Sequence, residues 1–249
     1  MRLHPLFTLL VSAALLGGVA NAEDRPLRIG VDLPYEPYQY KLPDGAITGF
    51  EVELVNAACE RMQRECEWVE QAWDGIIPAL QARKFDLIAS AMNITEERSR
   101  QVLFSEPYYQ VPSVWVGKAG EDRDVEGDLA GAAIGVQQGT IQDEYVTQFY
   151  PHAEIRRYGD SGSVVADMHA GRLDLVFTAF PLAQETMLHD ERFSRQGELV
   201  TGPESIYGPG IGAAFRPRDE ALAEAFNEAM AELKTDGTFD VIFDSYFGD

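Results

Sequence analysis

Short apolar runs rich in β-formers alternate with segments of helical periodicity, and the alternation runs through once and then begins again. In the first series, strand-like stretches at 27–33, 66–69 and 85–92 are separated by helical patterns at 50–62 and 75–82. Strands interleaved with helices pack as a mostly parallel sheet covered by those helices, the α/β architecture. The second series places strands near 113–117, 132–136, 154–157 and 173–177, with helices near 142–149, 163–170 and 182–188. One internal echo links the two: Ala82-Arg-Lys-Phe-Asp-Leu-Ile88 and Ala170-Gly-Arg-Leu-Asp-Leu-Val176 both read as a helix end followed by Asp-Leu opening a strand. After Gly202 come a Gly/Pro-rich stretch, an apolar run at 211–215, and amphipathic helices at 219–234 and 239–247. The expectation is an α/β protein of two similar lobes.

The first residues read as an address. Met1-Arg2 is followed by an apolar run at 6–19, and Ala20-Asn21-Ala22 supplies small residues at the cleavage positions, so cleavage is expected after Ala22. No later segment approaches the roughly 18 unbroken apolar residues of a membrane span. With 20 Lys+Arg against 41 Asp+Glu, the net charge is −21. Such a surplus repels phosphate backbones and excludes nucleic acid as a partner, but it does not identify the ligand's charge. Cys59 and Cys66 are the two cysteines, and an even count in a secreted chain invites a disulfide. Continuous helix would hold their Cα atoms about 10 Å apart, beyond the roughly 7 Å limit for a bridge, so the helix is expected to end between them.

At this point the chain resembles a known family, the periplasmic amino-acid-binding proteins of ABC importers (family 3 solute-binding proteins) of the lysine/arginine/ornithine, histidine and opine type. The residues that carry the resemblance are Arg28-Ile-Gly-Val-Asp-Leu-Pro-Tyr-Glu-Pro-Tyr38, Gly49-Phe-Glu-Val-Glu-Leu54, the paired cysteines, Ala72-Trp-Asp-Gly-Ile-Ile-Pro-Ala-Leu80, Ile94-Thr-Glu-Glu-Arg98, Gly135-Val-Gln-Gln-Gly-Thr140 and Ala170-Gly-Arg-Leu-Asp174. The resemblance implies a two-lobed, type II periplasmic-binding-protein fold with a hinge of two crossing strands, expected near 109–114 and 203–208. The lobes are then 23–110 with 206–249, and 111–205, after a signal peptide at 1–22. It also implies a monomer that needs no cofactor, takes a small-molecule ligand and delivers it to an ABC permease and its ATPase at the inner membrane.

Arg98 stands out on physical grounds as well. Thr95 is a good N-cap and Glu96 and Glu97 suit the first turn, but a cation at the third position opposes the helix macrodipole unless an anion binds there. An Arg fork matches a carboxylate, and the resemblance gives Arg98 the same role. Gly139-Thr140 lies where a strand turns into a helix, so its amides are expected to meet the same anion from the other lobe. Asp32 ends the first strand, the edge of an open α/β sheet where ligands collect, and its carboxylate suits a cationic tail. By resemblance, Tyr35 and Trp73 sandwich the ligand, and Ser90, Met92, Asn93, Gln138, Gln142 and Ala179 complete the site.

The departures from the family are informative. Its α-amino-acid binders hold the ligand's α-ammonium with an Asp, and here Ala179 occupies that place. Ala91, Asn93 and Ile141 stand where hydroxyl residues are usual. An unpaired buried ammonium costs several kcal/mol, so the expected ligand is a carboxylate with a basic tail, with an opine, guanidino or ω-amino acid favoured over a plain L-amino acid. Enzymatic activity is not expected. Some members of the fold act as cyclohexadienyl-type dehydratases, but Ser163 breaks a nucleophile elbow at 159–163, and His152, His169 and His189 are too dispersed for a metal motif. The remaining alternative is a sensor module that passes ligand occupancy to a membrane receptor.

Overall fold

The computed structural model of the chain describes residues 25–248. The expected signal peptide lies outside the described residues. Among these no helix is long and apolar enough to cross a membrane.

The strands are β1 (Leu27–Val31), β2 (Tyr40–Lys41), β3 (Ile47–Thr48), β4 (Cys66–Glu70), β5 (Leu87–Ile88), β6 (Leu103–Phe104), β7 (Ser113–Lys118), β8 (Ala133–Gln137), β9 (Glu154–Tyr158), β10 (Leu175–Ala179), β11 (Phe193–Val200) and β12 (Ala214–Phe215). The helices are α1 (Phe50–Arg61), α2 (Ile76–Gln81), α3 (Glu96–Ser99), α4 (Ile141–Phe149), α5 (Ser161–His169), α6 (Phe180–Ala183), α7 (Glu204–Tyr207), α8 (Glu220–Thr235) and α9 (Thr238–Phe247).

Two five-stranded sheets form, in the orders β4-β1-β5-β12-β6 and β11-β7-β10-β8-β9. Each holds three parallel neighbours, β4-β1-β5 in one and β9-β8-β10 in the other, next to an antiparallel strand, β12 or β7. In both cases that antiparallel strand lies next to a passage between the sheets: β7 enters the second sheet and β12 re-enters the first. The two-lobed type II fold follows directly from this arrangement.

The internal echo is a structural repeat. Asp86 precedes β5 and accepts the Arg28 amide of β1 at 3.1 Å. Asp174 precedes β10 and accepts the Ala133 amide of β8 at 2.9 Å. Each carboxylate ties the start of a central parallel strand, β1 or β8, to the segment that leads into the strand beside it. Arg83 and Gly171 also match, both in the left-handed region that ends the preceding helix, at φ 62° and 70°.

Cys59 sits in the last turn of α1 and Cys66 opens β4; the two are bridged, with Cα atoms 6.3 Å apart. The break in the helix occurs at Met62, which caps α1.

The hinge differs in detail from the expectation. The passages run antiparallel at Tyr108–Gln110 and Pro209–Ile211, where the Ile211 amide donates to Tyr109 O (2.8 Å) and the Tyr108 amide to Ile211 O (3.1 Å). Residues 204–207 form the helical turn α7 instead of a strand, because Pro203 opens the turn and Gly208, at φ 60°, ends it. A Cβ at Gly208 would lie 1.8 Å from Ile94 O, so only glycine fits that approach. Strand β11 lacks a clear pattern because a register shift between Gln196 and Val200, with Gly197 at φ 68°, breaks its alternation.

Candidate functional site

The first lobe presents the carboxyl ends of its parallel strands to the second lobe. Asp32 follows β1, the turn at Trp73 follows β4, and residues 90–93 follow β5. From the opposite side come the end of β8 and the start of α4. The cavity between them is lined by Asp32, Tyr35, Trp73, Ser90, Asn93, Arg98, Thr140 and Gln142, eight of the twelve expected positions, together with Gln39, Ala91, Gln137 and Ile141.

The lobes touch around this cavity. Gln137 Nε2 donates to Asp32 Oδ2 at 2.7 Å, Trp73 Nε1 donates to Gly139 O at 3.0 Å, and Arg98 Nη2 donates to the same carbonyl at 3.2 Å. Farther out, Ser161 Oγ donates to Pro34 O at 2.5 Å. The cleft is therefore closed.

Arg98 belongs to the short helix α3, where Thr95 Oγ1 accepts the Arg98 amide as the cap reading anticipated. Its guanidinium lies over the Trp73 ring, 5.1 Å from the centroid, and donates to Asn93 O at 2.9 Å. The side chain remains partly exposed, yet the packing around the guanidinium lowers its pKa to about 10, with Glu144, Glu97 and Tyr35 opposing the shift. Asp32 is 5% exposed, and burial raises its carboxyl to about 6 even though Gln137 and the Trp73 backbone donate to it. Among the described residues, neither Asp32 nor Arg98 takes part in an ion pair. The cavity thus holds one anion and one cation, each lacking a counter-ion. Tyr35 responds to both: Asp32 pushes its phenol up and Arg98 pushes it down, while burial dominates and raises it.

Hydrogen bonds fix the remaining wall. Ser90 Oγ accepts the Asp32 amide (3.0 Å) and Gln39 Nε2 (3.3 Å), Asn93 Nδ2 donates to Tyr207 O (3.0 Å), and Gln142 Nε2 donates to Ser113 Oγ (2.9 Å). Gln39 is 1% exposed and its Oε1 has no partner among the described residues.

Four expected positions do not line the cavity. Met92 is buried among Ile76, Phe85 and Val102, and Ala179 lies in the apolar cluster that holds Tyr108 and Val111. Gln138 and Gly139 face the groove outside. Gly139 also reverses the expected polarity: its amide donates to Asp143 Oδ2 at 3.0 Å, so it is the carbonyl that faces Arg98 and Trp73. Thr140 caps α4 by accepting the Asp143 amide, which leaves the Ile141 and Gln142 amides as the unpaired first-turn donors beside the cavity. Gln137 was missed because β8 is buried on both faces and gives no alternation from which to read its direction. Gln39 had no local signal, since its place depends on the Tyr35–Gln39 backbone pair that closes its loop.

The sequence profile of bacterial extracellular solute-binding proteins, family 3, matches residues 27–249. The L-arginine-binding protein of Pseudomonas aeruginosa is 39% identical over 249 residues, covering 94% of this chain and 95% of its own. A solved Salmonella typhimurium periplasmic binding protein, described for its high arginine specificity, superposes with a TM-score of 0.85 at 29% identity, over 90% of this chain and 99% of its own. An ancestral amino acid-binding protein, described as a precursor of cyclohexadienyl dehydratase, superposes with a TM-score of 0.80 at 30% identity, over 89% of this chain and 95% of its own.

Proposed function

Because the chain belongs to the bacterial extracellular solute-binding proteins of family 3, we propose that it captures a small carboxylate ligand with a basic tail by hinge closure and hands it to an ABC permease and its ATPase. The observation that carries this reading is a buried acid, Asp32, and a partly exposed cation, Arg98, that line one cavity between the lobes with no ion-pair partner among the described residues. Arg98 and the first-turn amides of α4 receive the carboxylate, and Asp32 receives the cationic tail, with Tyr35 and Trp73 against the stem. The unpartnered Gln39 Oε1 offers the tail a second acceptor.

The ligand class is a basic amino acid or a derivative such as an opine, a guanidino acid or an ω-amino acid. The names of the relatives favour arginine. Against a free α-ammonium stands the lining itself, in which Asp32 is the only acid among the described residues. Ligand binding without turnover is part of the proposal, as are export by a signal peptide cleaved after Ala22, work in the periplasm as a monomer, and lobes at 23–110 with 206–249 and at 111–205. The division into two lobes is supported by the two separate five-stranded sheets, which the passages at 108–110 and 209–211 connect.

Calorimetry with arginine, ornithine, lysine, octopine, nopaline, agmatine, 4-guanidinobutyrate and 4-aminobutyrate tests the reading. Arg98→Ala is expected to weaken every carboxylate ligand by about tenfold or more and to leave agmatine, which has no carboxylate, least affected. Unchanged affinity would remove Arg98 from the site. Product formed from prephenate or arogenate beyond one equivalent of protein would overturn binding without turnover.

A further inference from the structure

Beneath the cavity, outside its lining, lies a buried carboxylate that the binding reading leaves unused. Glu51, in the first turn of α1, is fully buried. Its Oε2 accepts the Ala91 amide at 2.6 Å, and its Oε1 accepts the Tyr108 hydroxyl. No cation pairs with it among the described residues; the titratable groups around it are the phenols of Tyr35, Tyr38 and Tyr108.

Both partners occupy consequential places. Ala91 lies in the cavity wall at φ 48°, in the left-handed region that is unfavourable for a non-glycine residue. Such a conformation persists only where the surroundings hold it, and the Glu51 carboxylate is the group that grips its amide. On one side of Ala91, Ser90 Oγ accepts the Asp32 amide; on the other, Asn93 O accepts the Arg98 guanidinium. Tyr108 begins the first passage between the lobes, and the same loop is stitched to the second passage by the Ile94 amide on Gly210 O and the Gly212 amide on Met92 O.

We propose that Glu51 is a positioning residue for ligand capture: one carboxylate braces the wall that places Asp32 and Arg98 and fastens that wall to the hinge. The proposal deepens the binding reading above and rests on it. Two donors converging on one carboxylate suit its anionic form, and they offset part of the burial that raises its pKa to about 7. Gln can keep the geometry, with its carbonyl accepting from Ala91 and its amide donating to the Tyr108 oxygen. Ala cannot.

The test compares Glu51→Gln and Glu51→Ala for L-arginine affinity by calorimetry, with the Ala91 amide proton followed by NMR in the unliganded protein. A brace predicts affinity within about threefold of wild type for Gln and a loss of about tenfold or more for a folded Ala variant. It also predicts an Ala91 amide proton that moves upfield in Gln, and further in Ala, as the charge-assisted bond is lost. A folded Glu51→Ala that binds like wild type overturns the proposal. If Glu51→Ala does not fold, the Gln variant decides, and an unmoved Ala91 resonance overturns it. If wild type does not bind arginine, arginine is removed from the ligand class of the binding reading, while the NMR arm still decides the brace because it uses no ligand.

Discussion

Asp32 is expected to set how binding responds to pH. Its carboxyl titrates near 6 in the folded, unliganded protein, well above the ordinary aspartate value, because burial outweighs the Gln137 and Trp73 donors while Asp160 and Glu70 add repulsion. The folded state therefore holds this proton more tightly than the unfolded chain. Asp32's contribution to stability declines as pH rises from about 4 to about 6, and above that the ionised group is a cost that a cationic ligand offsets. Affinity for a basic-tailed ligand is expected to fall as pH drops below about 6, by up to about tenfold per unit. Asp32→Asn is expected to bind more weakly at pH 8 and to show no such slope. Calorimetry between about pH 5 and pH 8 checks both, and a flat wild-type profile would remove Asp32 from the tail's contacts. At this scale the charged pair was legible in the sequence, Arg98 from its conflict with the helix dipole and Asp32 from its place at a strand end. Gln39 and Gln137 were not, because each side chain's direction depends on backbone pairing that composition does not record.

Among the elements, the Cys59–Cys66 bridge joins the end of α1 to the start of β4, next to β1. The loop it closes is short, so the chain-entropy estimate for its removal is about 2–3 kcal/mol. The double variant Cys59→Ser/Cys66→Ser is expected to lose that much in a urea titration and to keep its ligand affinity within about twofold, since neither residue reaches the cavity. A large affinity loss with little loss of stability would show that the bridge shapes the site. The helix break between the cysteines was readable from geometry, and the Asp-Leu echo, whose aspartates tie β1 to β5 and β8 to β10, from the sequence match. The turn α7 and the bulged strand β11 were not readable. Gly208, where α7 ends, packs closely against Ile94, and β11 follows its pairing with β7; both use glycines at positive φ that look like ordinary loop residues in the chain.

For the whole molecule, a net charge of −21 makes self-repulsion part of the folding balance. Screening it should favour the folded form, since the Debye length falls from about 10 Å at 0.1 M salt to about 3 Å at 1 M. Melting in NaCl is expected to rise over that range by roughly 3–6 °C, or about 1–2 kcal/mol, without a change in the far-ultraviolet spectrum. A midpoint that fell with salt would mean that ion pairs such as Arg25–Asp86 and Arg216–Asp86 outweigh the net repulsion. The sequence by itself determined the layered α/β class, the repetition of the pattern and the charge of Asp32 and Arg98 in the cavity wall, because periodicity and residue chemistry are local properties. Only the tertiary structure decided that Gly139 turns its carbonyl to Arg98, that Ala179 is buried in an apolar cluster, and that Glu51 reaches both the cavity wall and the hinge. Each of these depends on which distant segments are brought within hydrogen-bond or van der Waals contact, within the first lobe for Glu51 and across the lobes for Gly139.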